Sequence, residues 1–423
     1  MPKVLIITYY WPPGSGAGVQ RWLKFSKYLP DYGWEPLILT IDPAYATYPA
    51  IDHTLDKEVP SPLTVWKTRA TDYFRIYRRD KSRIPSSGFA TNPDKEFLDR
   101  IIRFTRGNFF IPDPRKGWNK YAYRKACELI QEHRISYIIT TSPPHSTQLI
   151  GLRLRNKYQD IRWVADLRDP WTDIYYYHNF YPTKCAKRID AKYEKEVLEN
   201  ADKLITVGKS LKELFSRKYP GIEQKTGIVP NGYDEEDFAG ITESKPDIFT
   251  LSYIGTLSDS YPLNGLLAAL SELEKKEAAF RLRFAGFVSE NQRVLVSSAL
   301  GHGKVEFIDY TDHRSAIGYM AASSMLILII PKHSSSRSIV TGKLFEYMAS
   351  LKPILCLGPA DGDAAEILLE SGHKSVFKWD DHTGISDFIG RVMEHPGELA
   401  IKKPLSYSRK ALTGRLSEIL SSL

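Results

Sequence analysis

Short runs dense in apolar and β-branched residues punctuate this chain. In the first half they are residues 4–8 (VLIIT), 137–141 (YIITT), 163–167 (WVADL) and 203–208 (KLITVG). In the second half they are 250–256 (TLSYIGT), 281–286 (RLRFAG), 305–308 (VEFI), 325–330 (MLILII) and 353–358 (PILCLG). Between them apolar residues return at helical spacing, as at Val19, Trp22, Leu23 and Leu29, and across 119–133, 189–200 and 210–218. Strands with little polar alternation are those of parallel sheets buried on both faces, and their regular exchange with helices predicts βα units. The pattern lapses over residues 43–118, where only 64–70 reads as a strand, and it restarts after Asn231-Gly232, a turn dipeptide that predicts a hinge. The expectation is an α/β protein of two Rossmann-like domains, closed by an amphipathic helix at 407–420.

Composition supports folded domains and narrows the compartment. The 423 residues are 42% hydrophobic and 26% charged, which suits two globular domains and excludes disorder. The formal net charge of +8 suits anionic ligands or an anionic membrane surface. Cys127, Cys185 and Cys356 are too widely spaced for a zinc or disulfide pattern, so a reducing cytosol is expected. The chain enters a strand at once without a secretion signal, and no apolar run nears the ~20 residues of a membrane span, so it reads as soluble or peripheral.

The insertion is basic and aromatic. Tyr73, Phe74, Arg75, Tyr77, Arg78, Arg79, Lys81 and Arg83 mix rings with cations. Residues 96–106 (EFLDRIIRFTR) place Phe97, Ile101 and Phe104 along one face beside Arg100, Arg103 and Arg106. Such a helix either lies at a membrane interface or turns its apolar face to a core and its basic side to water, and the core-facing form is favoured. No nucleic-acid-binding motif accompanies the charge.

Candidate chemistry concentrates at predicted strand ends. After 325–330 come Ser334, Ser335, Ser336, Arg337, Ser338, Thr341, Gly342 and Lys343, hydroxyls and cations before a helix start, where free N–H groups favour an anion. Glu346, one turn on, suits a pair of ribose hydroxyls. The loop at 11–18, with Gly14, Ser15, Gly16, Ala17 and Gly18, joins a strand to a helix and lets a ligand approach its backbone. Val19 breaks the dinucleotide fingerprint there, although Asp42 mimics the ribose acid of a dehydrogenase. His145 stands at a strand-to-helix switch, where the helix dipole favours neutral imidazole. Asp166, Arg168 and Asp169 cluster at another strand end, as an ion pair or an acceptor contact. Asp361-Gly-Asp363 spells a DxD triplet but opens a helix, and it reads as capping.

KLFEYMASLKPIL resembles the nucleotide-sugar motif of GT-B glycosyltransferases of family 4, and the likeness extends over most of the chain. TSPPHS, VADLRDPW and Asn231-Gly-Tyr-Asp234 resemble its sugar-site histidine, its N-domain loop and its inter-domain signature. The resemblance implies that Glu346 holds the donor ribose, that Lys343, Arg337, Thr341, Gly342, Leu344 and Gly255 surround the donor, and that the loop at 14–18 lies over diphosphate and acceptor. It assigns His145 and Ser338 to the catalytic region and Arg168 with Asp169 to the acceptor. Domains at 1–237, with 405–423 packing back on it, and at 238–404 follow, facing a cleft. Two departures stand out. Ser338 occupies the place of the family's second glutamate, and the loop at 255–264 lacks the usual Arg and Lys.

The implied activity is retaining, metal-independent sugar transfer from a nucleotide sugar to a glycan or lipid-linked acceptor, in surface polysaccharide or glycolipid synthesis. No cofactor is implied, and the expected place is the cytoplasm, at the inner face of the membrane. A nucleotide-sugar epimerase of the same fold and a non-catalytic sugar-nucleotide-binding subunit are the alternatives.

Overall fold

In the computed structural model all residues are described except 72, 74–96, 242–245, 302, 310 and 397–402. Arg75, Arg78, Arg79 and Arg83 of the basic insertion therefore lie outside the described residues. The chain divides into two compact units, unit 1 from Met1–Pro230 with Arg409–Leu423, and unit 2 from Asn231–Ser408.

Unit 1 runs β1 (Lys3–Ile7), α1 (Ala17–Tyr28), β2 (Glu35–Ile41), β3 (Thr64–Thr68), α2 (Phe97–Phe109), α3 (Asn119–His133), β4 (Tyr137–Ser142), α4 (Gln148–Lys157), β5 (Arg162–Leu167), α5 (Lys184–Asn200), β6 (Lys203–Thr206), α6 (Lys209–Lys218) and β7 (Thr226–Ile228). Its strands form one parallel sheet in the order β3-β2-β1-β4-β5-β6-β7. Val4 and Ile6 face one core, and Leu5 and Ile7 face another, so both faces of β1 are apolar, as covered parallel strands require.

Unit 2 runs β8 (Phe249–Ile254), α7 (Asn264–Lys275), β9 (Phe280–Ala285), α8 (Glu290–Ala299), β10 (Val305–Ile308), α9 (His313–Ala321), β11 (Met325–Ile329), α10 (Gly342–Ala349), β12 (Ile354–Leu357), α11 (Asp363–Glu370), β13 (Val376–Phe377) and α12 (His382–Glu394). Its parallel sheet has the order β10-β9-β8-β11-β12-β13. The order reverses between β1 and β4 in unit 1 and between β8 and β11 in unit 2. At such switch points the loops at the strand carboxyl ends diverge and leave a crevice for ligand.

A last helix, α13 (Arg409–Ser421), belongs to unit 1. Its Leu412, Leu416 and Leu420 bury with Val19, Trp22 and Leu23 of α1. Trp34 Nε1 donates to Ser417 Oγ at 3.2 Å.

Two expectations are corrected here. In α2, Ile101 and Phe104 are exposed while Arg103 is buried and Arg106 lines a cavity, so the helix does not bury its apolar face and solvate its basic side. The Arg106 stem enters because an aromatic ring receives its guanidinium, with Cζ 3.9 Å from the Phe180 ring centroid. Asp42, the residue placed like a ribose acid, accepts from Ala44 N–H at 2.9 Å and caps its own turn.

Candidate functional site

In unit 2 the switch point brings β8 against the start of α10. Tyr347 of α10 accepts a hydrogen bond from Ile254 N–H at 2.9 Å, which holds the helix to the end of β8. Leu344, Phe345 and Met348 anchor the other side of α10 in the core. Leu344 is fully buried, so its expected donor contact is corrected to packing. Lys343 then reaches the strand end, where Nζ donates to the Tyr253 hydroxyl at 2.7 Å and sits 4.2 Å from that ring's centroid. Gly255 is required twice over: its φ is +124°, and a Cβ there would meet Lys343 Cε at 2.6 Å. Burial pulls the Lys343 ammonium down to about 8, against the opposing pull of Glu346.

Glu346 is half-buried, its Oε1 3.1 Å from His313 Nε2 at the start of α9. Thr341 is the N-cap residue of α10, yet its hydroxyl caps nothing and is buried without a partner among the described residues. Gly342 opens the helix, whose first N–H groups have no intrahelical acceptor. The arrangement offers an anion one amine, one hydroxyl and a helix start, with a carboxylate one turn further on.

Arg337 and Ser338 lie on a 3-10 turn, Ser336–Ser338. Arg337 pairs with Asp361, both exposed. Ser338 Oγ donates to the Ser335 carbonyl at 2.9 Å. The capping expectation for Asp361 is thereby corrected: it precedes α11 and serves Arg337, while Asp363 sits in the first helical turn and Gly362 is the N-cap. Among the described residues no group of His, Cys, Asp or Glu is arranged to hold a metal ion.

In unit 1 the β1–β4 switch point carries a cavity of about 320 Å³. It gathers Ser15, Gly18, His145, Arg168 and Asp169, five of the residues singled out in the sequence. Gly14 does not line it: a Cβ there would meet the Trp11 carbonyl and the Tyr48 ring at 3.1 Å, so that glycine serves packing. Gly16, with φ +102°, and Ala17 are exposed at the start of α1 and do not line the cavity.

His145 stacks on Trp171, with ring centroids 4.8 Å apart and planes at 17°. Trp171 is itself fixed, its Nε1 donating to Asp190 Oδ1 at 2.7 Å, and Asp190 Oδ2 accepts from the Tyr177 hydroxyl at 2.9 Å. Burial raises the Asp190 carboxyl to about 6 despite those two bonds. Burial, then the charge of Arg168, lowers the His145 imidazole to about 3, while a bond to the Pro170 backbone opposes. The neutral state matches the expectation. Its cause is corrected, because His145 opens a short 3-10 turn and is desolvated rather than sitting at the start of α4. Its Nδ1 is buried with no partner among the described residues.

Arg168 donates to the Ser142 and Pro143 carbonyls at 3.0 and 3.1 Å and crowds Gly18, where a Cβ would meet it at 2.8 Å. Burial pushes the Asp169 carboxyl up, and Arg168 counters. Asp166 is not a ligand contact. It is fully buried and accepts from Arg21 Nε and Nη2 at 3.1 and 2.9 Å, from Trp22 Nε1 at 3.0 Å and from Thr141 Oγ1 at 2.8 Å. The ion-pair reading therefore holds for Asp166, but with a partner far away in sequence.

Sequence reasoning missed Tyr253 and His313 in unit 2, and Asp113, Arg115 and Asp190 in unit 1. Asp113 accepts from Ser146 N–H and Oγ, both at 2.8 Å, and joins the 3-10 turn before α3 to the turn that carries His145. The one available signal was Asp113-Pro114, a capping residue before a proline.

Residues 22–237, just over half of the chain, match the model of Glycosyltransferase Family 4. No curated protein matches the chain. Among solved structures, sucrose-phosphate synthase from Thermosynechococcus elongatus superposes with a TM-score of 0.64 at 15% identity, covering 100% of this chain and 99% of that one. Anabaena HepE, solved in complex with UDP and glucose, gives 0.61 at 14% identity, covering 100% of both chains. A glycosyltransferase from Rickettsia africae gives 0.62 at 15% identity, covering 99% and 98%. At these identities the likeness establishes the fold, the two Rossmann-like domains of GT-B proteins.

Proposed function

The chain belongs to Glycosyltransferase Family 4, and on that premise we propose that it moves a sugar from a nucleotide-sugar donor to an acceptor hydroxyl, with retention and without a bound metal or other cofactor. Unit 2 takes the donor and unit 1 the acceptor. The observation that carries this reading is the start of α10, where Lys343, the unpartnered Thr341 hydroxyl and first-turn N–H groups stand one turn from Glu346.

The diphosphate rests on the helix start and Lys343, and Glu346 accepts from the two ribose hydroxyls. As the bond from the sugar to the diphosphate breaks, charge grows on the departing phosphate oxygen. Donors already in place stabilise it without reorganising. His145, neutral, lines the cavity and presents its ring to a sugar hydroxyl there. Ser338, standing where relatives are expected to carry a glutamate, gives a shorter reach to the donor sugar, and Arg337 supplies a further cation. The acceptors fitting this reading are glycans or lipid-linked glycans of surface polysaccharide or glycolipid synthesis, met at the cytoplasmic face of an anionic membrane. No helix among the described residues is long and apolar enough to cross one.

Product analysis with a panel of UDP, GDP and dTDP sugars in chelator tests the proposal. The expected product is a glycosylated acceptor that keeps the donor's anomeric configuration. An epimerised nucleotide sugar, or bound donor without product, would overturn transfer. Activity lost in chelator and restored by manganese or magnesium would overturn metal independence.

A further inference from the structure

The unit 1 cavity carries a guanidinium that no carboxylate among the described residues meets in an ion pair. Its lining carries Arg106, Arg115 and Arg168 against Asp113, Asp169 and Asp190. Two of these carboxylates are occupied: Asp113 by Ser146 and the Arg115 N–H, and Asp190 by Trp171 and Tyr177. Asp169 is the near counter-charge of Arg168. Arg106 is left against the face of Phe180 at 3.9 Å, and no carboxylate among the described residues forms an ion pair with it.

This guanidinium is held in place. Asn108 donates to the Tyr181 carbonyl at 3.1 Å and accepts from Thr183 N–H at 2.8 Å, which latches the end of α2 to the turn that carries Phe180. At Gly107 the approach is so close that a Cβ would meet the Phe180 carbonyl at 2.2 Å. Burial, then the positive charge of Arg115, pulls the Arg106 guanidinium down to about 10 although Tyr176 and Asp113 oppose, and an incoming anion relieves that cost. Ile111, Pro112, Ile174 and Phe180 supply an apolar part of the wall, beside the Tyr10 and Tyr176 rings. At about 320 Å³ the space is within the range of small-molecule sites.

We propose that the acceptor carries an anionic group, a phosphate or carboxylate, which Arg106 receives in the unit 1 cavity beside an apolar body that packs on Ile174 and Phe180. Planar guanidinium suits both anions through paired N–H donors. The inference rests on the acceptor reading of unit 1.

Calorimetric titration of the full chain with inorganic phosphate, phenyl phosphate and benzoate tests it, with UDP titrated in parallel. The expected result is binding of phenyl phosphate or benzoate, tighter than phosphate alone, weakened at least about tenfold in Arg106→Gln with UDP affinity unchanged. Equal binding by wild type and Arg106→Gln, or no binding of any of the three anions by wild type, would overturn the inference. So would UDP affinity falling in parallel, because the anion would then be the donor's. Where Arg106→Gln fails to fold, Arg106→Lys carries the test: its anion binding must fall below wild type, and equality overturns the inference. Wild type that binds these anions but not UDP instead counts against the donor reading of unit 2.

Discussion

Asp166 and Asp190 at the unit 1 switch point are paired before any ligand arrives, whereas the polar groups of unit 2 stand around one helix start with capacity to spare. Beneath the unit 1 cavity Asp166 accepts four hydrogen bonds from Arg21, Trp22 and Thr141, and along its wall Asp190 orients Trp171, which stacks on His145. In unit 2, Lys343 has a tyrosine hydroxyl and a ring for company, Glu346 has a histidine, and the Thr341 hydroxyl has no partner among the described residues. Buried charges that must hold a shape are satisfied internally, since an uncompensated one costs several kcal/mol. Groups that must receive a ligand are left partly unsatisfied, and burial lowers the Lys343 ammonium to about 8.

The sharpest way to break this comparison is to cut the pair in unit 1. Asp166→Ala strands Arg21 in the core and is expected to cost about 3–5 kcal/mol. Every tryptophan except Trp379 lies in unit 1, so tryptophan fluorescence in a urea titration reports on that unit. An unshifted midpoint would show that Asp166 does not support the core of unit 1.

A smaller effect is expected in unit 2, and on binding rather than stability. Hydrogen bonds to a charged group are worth roughly 1.5–3 kcal/mol, so Glu346→Ala should weaken a nucleoside diphosphate at least about tenfold. The loss should shrink for an analogue lacking the ribose hydroxyls. His145→Ala should leave that affinity alone, because His145 lines a cavity within unit 1. A folded Glu346→Ala protein that binds every nucleotide as wild type does removes the donor site from α10.

The gentlest probe is pH. Lys343 is charged below about 8 in the free protein, so its attraction for diphosphate is fully present there and is lost as pH rises through that value. Diphosphate affinity should therefore fall by a few-fold on going from neutral to distinctly alkaline pH, and Lys343→Met should flatten the profile. Nucleoside affinity should stay level. A diphosphate profile with the same slope in wild type and Lys343→Met would assign the effect to another group.

How much of this was readable in the chain follows from the range of the forces involved. Strand runs such as 325–330 and helices such as α3 announced themselves because burial on a parallel sheet or against a helix face is a local, periodic demand. The donor candidates were readable for the same reason, since Thr341, Gly342, Lys343 and Glu346 lie within one helix start. Leu344 was the exception: in the same stretch, its side chain falls on the core side of the helix. The family resemblance was likewise carried by short motifs such as KLFEYMASLKPIL.

Tertiary structure alone decided the rest. Asp166 and Arg21 are 145 residues apart, and no local spacing announces a pair that only the packing of α1 beside β5 creates. Helical periodicity marked one side of α2 as apolar, yet Arg103 and Arg106 turn inward, because what a helix face meets depends on the cavity and rings brought to it by other segments. His145 was expected to stay neutral through a helix dipole, and it does so through desolvation and Arg168, two contributions that exist only once β4 and β5 lie side by side. The chain specifies its elements through short-range periodicity; electrostatic environment is set by distance in space, which the sequence does not measure.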